Sequence, residues 1–180
     1  PITRHLKVEG PRKLIGIDYL TLVEDKFGMK GAYVLKDRFT LLAIIYPTAK
    51  RDFQSAAMSI FSYCCTFGKM DVLISDPGSE LASEGVAMLN RWFGVSHRFS
   101  LVDRHESNGV ENTNRQILRR LRDLALDEDI VNYIASVDSD KYSADINDCV
   151  TAMLSGEDIR QNWSSPHIIQ WVNYIINKLS

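Results

Sequence analysis

Between Lys13 and Leu22 the chain reads K-L-I-G-I-D-Y-L-T-L, apolar at almost every position and too short for a typical buried helix. A strand with one wet face alternates polar and apolar residues. This one does not, so it predicts a strand buried on both faces, in a sheet covered on each side. Its single charge, Asp18, is set among apolar neighbours, with no Lys or Arg between Lys13 and Lys26. An ionised carboxylate in such a place is costly unless a cation compensates it. A bound metal is one solution; a remote arginine or exposure at the strand end is another.

The rest of the chain supplies the cover. Gly28 to Gly31 reads as a turn, followed by strands at Ala32 to Asp37 and Leu41 to Tyr46, with Pro47 expected to close the meander. From Lys50 to Phe67 a helix is predicted with Phe53, Ala57, Ile60, Phe61 and Cys64 inward, stopping at Gly68. Val72 to Ser75 is a short buried strand that must end at Asp76-Pro77-Gly78. A second helix runs from Ser79 or Glu80 to Phe93, a fifth strand from His97 to Ser100, and a third helix from about Val110 to Leu126. The last, from Ser165 or Pro166, places Ile168, Ile169, Val172, Ile175, Ile176 and Leu179 on one stripe. Three strands in a meander and then alternating helices and strands predict an α/β fold: a five-stranded mixed sheet flanked by helices.

At 180 residues the chain suits one domain of ordinary size, with residues 1–12 as a leader or linker before a domain over 13–180. No apolar run approaches the roughly 20 residues that span a bilayer. Pro1 at the start and the lack of an apolar signal segment lead us to expect a piece of a longer polypeptide that is not secreted. Three cysteines, two of them adjacent, and four dispersed histidines form neither a disulfide framework nor a zinc-site spacing. The net charge of −2 is unevenly spread: residues 127–160 hold nine acids against two bases, leaving the remainder at +5. A basic body of that kind can bind a polyanion at a local face.

Asp76 and Glu111 each have a structural explanation when judged alone. D-P-G is a common turn, and Asn108 with Glu111 has the spacing of a capping box. Together with Asp18 they read differently. The first and fourth strands are expected to be neighbours, so Asp18 and Asp76 can meet, with an acid from a crossing helix completing a set of three hard oxygen donors. Such a set suits Mg²⁺ or Mn²⁺.

Four stretches carry a family resemblance: I-G-I-D-Y-L-T-L around Asp18, D-R-F-T from Asp37, L-I-S-D-P-G-S-E from Leu73, and R-H-E-S-N-G-V-E-N-T-N-R from Arg104. In this order they resemble the catalytic core of retroviral-type integrases, most closely those of gypsy-like long-terminal-repeat retrotransposons. The likeness covers about residues 13–126 and resumes at W-S-S-P and I-Q-W-V-N-Y-I-I-N near the end. It implies an RNase H-like fold and a polynucleotidyl transferase with endonuclease activity, which trims an element's 3′ ends and transfers them into target DNA. The implied catalytic and metal-holding triad is Asp18, Asp76 and Glu111, with Mg²⁺ or Mn²⁺ as cofactor. Asn108, Asn114, Arg115 and Arg119 are the implied DNA contacts. The implied partners are element and target DNA and further copies of the chain, in a nuclear or cytoplasmic nucleoprotein complex, with zinc-binding and carboxy-terminal domains expected alongside.

Two departures stand out. The family leaves 35 residues between its second Asp and its Glu, whereas 34 separate Asp76 from Glu111, and an ungapped count would select Asn112. Glu111 is preferred because Asn114 and Arg115 follow it as the Glu-x-x-Asn-Arg/Lys pattern requires. The acidic stretch 130–158 has no counterpart and reads as an insertion, with E-D-I at both ends. These departures sustain an alternative, a catalytically inactive integrase-derived DNA-binding or dimerisation module. A ribonuclease H-type nuclease is a further possibility.

Overall fold

The computed structural model describes residues 8–100, 110, 113–119 and 163–178. Its strands are β1 (Leu14–Thr21), β2 (Gly31–Asp37), β3 (Ala43–Thr48), β4 (Val72–Ser75) and β5 (Ser96–Phe99). Helices α1 (Phe53–Phe67) and α2 (Glu84–Phe93) alternate with the later strands; residues 113–119 are helical, here α3, and α4 is Pro166–Lys178. The five strands form one mixed sheet in the order β3-β2-β1-β4-β5. β1, β2 and β3 pair antiparallel, while β4 lies parallel to β1 and β5 parallel to β4.

The all-apolar pattern of β1 is explained by its central place. Ile15 and Ile17 enter one core with Tyr33, Leu35 and Leu73, under Ala56, Ile60, Tyr63 and Val86 of α1 and α2. Leu20 enters the opposite core with Val34, Ala43 and Ile45, under Ile117 of α3 and Ile168, Ile169, Val172 and Ile176 of α4. Strand alternation sends successive residues to opposite layers, so a strand covered on both sides needs no polar stripe. Where β1 ends, Gly31 lies opposite Thr21, and a Cβ there would collide with the Tyr19 phenol and the Leu20 carbonyl.

Three expected boundaries shift for local reasons. Leu41 adopts φ 64°, outside any strand, because Asp37 Oδ1 accepts the Phe39 and Thr40 amides and folds D-R-F-T into a turn; β3 starts at Ala43. Pro47 does not close the meander but sits inside β3, paired opposite Ala32. β3 is an edge strand, where a residue without an N–H is tolerated. The second helix starts at Glu84, not at Ser79 or Glu80, because Ser83 caps it by accepting the Val86 amide. In α1 the buried stripe is Ala56, Ser59, Ile60, Tyr63 and Cys64. Phe53 and Phe61, expected on that stripe, face α2 instead: the Phe53 ring covers Gly85, and Phe61 lies 5.9 Å from Phe93.

W-S-S-P acts as a docking device for α4. Trp163 is 4% exposed and donates its indole N–H to the Val23 carbonyl at 2.7 Å. The Ser164 amide reaches the buried Asp25 carboxylate, Ser165 Oγ accepts the Ile168 amide, and Pro166 opens the helix. Further along, Asn173 Oδ1 accepts the Ile45 amide and Asn177 Oδ1 the Ala43 amide, while Asn177 Nδ2 donates to the Ala43 carbonyl. With Pro47 next in the alternation, the outward donors of β3 are all used or removed. An open edge invites pairing with another chain. Changing both Asn173 and Asn177 to Ala is therefore expected to cost about 2 to 4 kcal/mol, from two donors left unpaired. Urea denaturation would measure that loss, and light scattering the expected concentration-dependent association. Full stability and a monodisperse protein would show that the edge needs no such cover.

The third helix beyond 119, the acidic stretch 130–158 and the leader before residue 8 lie outside the described residues, as do the side chain of Ile175 and all of Leu179. Among the described residues no helix is long and apolar enough to cross a membrane.

Candidate active site

Three pairs set the β1–β4 register: Leu14 with Val72, Ile15 with Leu73 and Gly16 with Ile74. Continued by two residues, the same offset brings Asp18 level with Asp76, the residue directly after β4. Neighbouring strands run about 4.8 Å apart, so the two acids leave the backbone as neighbours. Both are half-buried. Along β1, Asp18 alternates with the inward Ile17 and shares its face with Leu20, on the side covered by α3 and α4.

Each carboxylate is held. Asp18 Oδ1 accepts the Tyr19 amide and its Oδ2 accepts Asn114 Nδ2, both at 2.8 Å. Asp76 Oδ1 accepts the Ser100 hydroxyl at the end of β5. Asn114 is 8% exposed, and its Oδ1 has no hydrogen-bond partner among the described residues. It is thus turned inward to Asp18. Beside it Thr113 Oγ1 lies 2.7 Å from Lys36 Nζ, a second tie between α3 and the sheet. Burial lowers the Lys36 pKa, with the Arg38 charge adding to the effect. Arg115 and Arg119, one helical turn apart, are exposed on the outer side of α3, whereas Ile117 is fully buried.

A buried polar chain backs Asp76. Asn90 Nδ2 lies 3.4 Å from His97 Nδ1, His97 Nε2 lies 2.9 Å from Ser75 Oγ, and Ser75 Oγ donates to the Asp76 carbonyl at 3.0 Å. Burial lowers the His97 pKa, which favours the neutral ring. A neutral ring protonated on Nε2 satisfies every direction in this chain. Sequence reasoning missed it, and also missed the ion pair of Arg51 Nε with Glu80 Oε1 at 2.6 Å. The S-E of L-I-S-D-P-G-S-E was a signal for Glu80; nothing near Arg51 in the sequence marked it.

Of the residues named from sequence, the structure brings together Asp18, Asp76 and Asn114 and leaves Arg115 and Arg119 on the exposed side of the same helix. Glu111 and Asn108 lie outside the described residues. Among the described residues no group of three His, Cys, Asp or Glu side chains gathers as a metal site. The carboxylate pair is nevertheless an all-oxygen donor set just beyond the parallel pairing of β1 with β4, and the orphaned Asn114 oxygen adds a third oxygen nearby. Hard divalent cations that retain water fit such donors.

Solved structures share this architecture. One is the simian T-cell lymphotropic virus intasome in complex with PP2A regulatory subunit B56 gamma, at 18% identity and a TM-score of 0.57, matched over 80% of this chain and 47% of that one. Another is the HTLV-2 integrase catalytic core domain in complex with magnesium, in its dimeric form, at 17% identity and a TM-score of 0.54, over 80% and 84%. The fold is that of retroviral integrase catalytic cores. It is the RNase H-like five-stranded mixed sheet with flanking helices. The chain spans about half the length of the intasome chain it matches. No protein-family model matches the sequence, and no curated protein does.

Proposed function

We propose that the chain is the catalytic core of a retroviral-type integrase, gypsy-like by its motifs, which trims the 3′ ends of element DNA and joins them to target DNA. The observation that carries this reading is the β1–β4 register, which continued by two residues sets Asp18 level with Asp76 just after β4, with Asn114 of the crossing helix bonded to Asp18. The intasome and the magnesium-bound core among the similar structures support it. Asp18 and Asp76 would hold Mg²⁺ or Mn²⁺ jointly. Glu111, three residues before Asn114 as the Glu-x-x-Asn-Arg/Lys pattern requires, is assigned to complete the set. When bound, the divalent cations would lower the pKa of the attacking hydroxyl and offset charge on the phosphoryl group.

The protein's own groups orient. Asn114 fixes the Asp18 carboxylate and Ser100 the Asp76 carboxylate, while the Asn90–His97–Ser75 chain holds the backbone at Asp76. Water serves as nucleophile in trimming and a DNA 3′ hydroxyl in joining, and no protein residue forms a covalent intermediate. In this reading further copies of the chain assemble on the DNA; the HTLV-2 core among the similar structures is in a dimeric form.

The direct test is incubation of labelled element-end duplex with Mg²⁺ or Mn²⁺, with the expected flanking domains supplied, scoring trimmed and joined products. DNA binding without either product would favour the inactive-module reading. Arg115 and Arg119 are assigned to phosphate contacts. Changing both to Ala should reduce the slope of log affinity against log salt by about 1.8, since each lost contact removes about 0.9. An unchanged slope would remove this helix face from the DNA interface.

A further inference from the structure

The ion pair of Arg51 with Glu80 is fixed more firmly than an ordinary surface pair. Arg51, between β3 and α1, uses its Nε on Glu80, and its guanidinium carbon lies 5.2 Å from the centroid of the Tyr19 ring. The Glu80 side chain is 8% exposed and that of Arg51 55%. Among the described residues the terminal amino groups of Arg51 make no hydrogen bond, so the outer edge of the fork faces solvent. Both anchors belong to the segments that bear the acids. Tyr19 follows Asp18 in β1 and so turns to the opposite face of the sheet, against the first core, and Glu80 lies in the turn after Asp76, where the Gly78 amide donates to the Asp76 carbonyl. A Cβ at Gly78 would come within 2.9 Å of the Glu80 carboxylate and push it from its present position. Tyr33 adds rigidity by donating its hydroxyl to the Asp52 carbonyl next to Arg51.

A phosphodiester chain approaching paired carboxylates is repelled by them wherever no cation intervenes. A guanidinium is the side chain best shaped for a phosphate, since its planar fork donates two parallel hydrogen bonds. Ordering a free arginine costs about 2 kcal/mol of rotamer entropy, and here two contacts have already restricted the side chain before any ligand arrives. Glu80 takes up only the Nε side of the group. The Glu80 hydrogen bond raises the Arg51 pKa, and the Asp18 charge contributes in the same direction.

We infer that Arg51 is a phosphate-binding residue, held by Glu80 and Tyr19 so that its outward edge takes a phosphodiester of DNA that also reaches the Asp18–Asp76 site. This rests on the proposed action on DNA and adds a contact on the opposite side of the site from α3. The test is anisotropy of a labelled DNA duplex with the full chain in Mg²⁺ over a range of NaCl, with a thermal melt of each variant. Arg51→Gln should bind about 3- to 10-fold more weakly at low salt, with a slope reduced by about 0.9. Arg51→Lys should keep the slope. Glu80→Gln should lower the melt yet bind DNA as well as the parent or better, since the guanidinium then loses its competing anion. An unchanged slope in Arg51→Gln, or equal losses of affinity in Arg51→Gln and Glu80→Gln, would reduce the pair to a structural tie and overturn the assignment alone. If the parent protein shows no salt-dependent DNA binding, the integrase reading falls and this site falls with it.

Discussion

Asp18→Asn and Asp76→Asn are each expected to lower metal-dependent DNA trimming and joining by at least about 10³-fold, corresponding to roughly 4 kcal/mol of transition-state stabilisation. Each change removes one negative charge from a pair that stands at one level of the sheet. The variants should differ in stability. Asp76→Asn keeps an oxygen for the Ser100 hydroxyl and relieves carboxylate repulsion, so its metal-free melt should match or exceed that of the parent. At Asp18 both carboxylate oxygens are used, by Tyr19 N and Asn114 Nδ2. An amide there offers only one acceptor, and a donor left facing its N–H₂ group costs about 1 to 3 kcal/mol. The parent should gain stability from Mg²⁺ or Mn²⁺, as any ligand of the native state confers, and both variants should lose that gain. A metal response of equal size in parent and variants would place the ion elsewhere.

Trp163→Ala should be the most damaging single substitution outside the site, costing about 3 to 5 kcal/mol. The indole fills the second core against Leu20, Val110 and Ile168 and ties α4 to the loop after β1 through the Val23 carbonyl. Removing it leaves both a cavity and an unmatched carbonyl where α4 begins. In urea the midpoint should fall by about 2 M with little change in slope. Trp92, 75% exposed on α2, is the control, and its replacement by Ala should change stability by less than about 0.5 kcal/mol. A loss below about 1 kcal/mol at Trp163 would show that α4 docks outside the cooperative core.

Both predictions use features that the sequence carries in different degrees. The continuous apolar run of β1 required cover on both faces, and the cover is there as α1 and α2 on one side and α3 and α4 on the other. Asp18 was conspicuous because a charge in such a run needs a reason, and Asp76 because D-P-G must end a buried strand. Periodicity found α1 but set its buried stripe slightly askew, since Phe53 and Phe61 are as apolar as residues that face the sheet. Their partners, Gly85 and Phe93, belong to another helix. Pro47 misled for a similar reason: whether a proline can stay in a strand depends on whether that strand lies at an edge.

The chain's local chemistry therefore determined which segments are strands and helices, where they turn, and that Asp18 is a charge in an apolar run that needs compensation. Burial patterns and turn residues act over a few neighbouring positions, and a sequence displays them directly. The tertiary structure alone decided the β1–β4 register that sets Asp18 level with Asp76, the inward turn of Asn114 onto a carboxylate 96 positions away, and the Arg51–Glu80 tie across 29 positions. It also decided that the β3 edge is covered by Asn173 and Asn177. These contacts depend on how two covered faces of one sheet close around the same strand. No local pattern encodes them, because each partner is an ordinary polar residue until the fold removes its water and leaves one other group within reach.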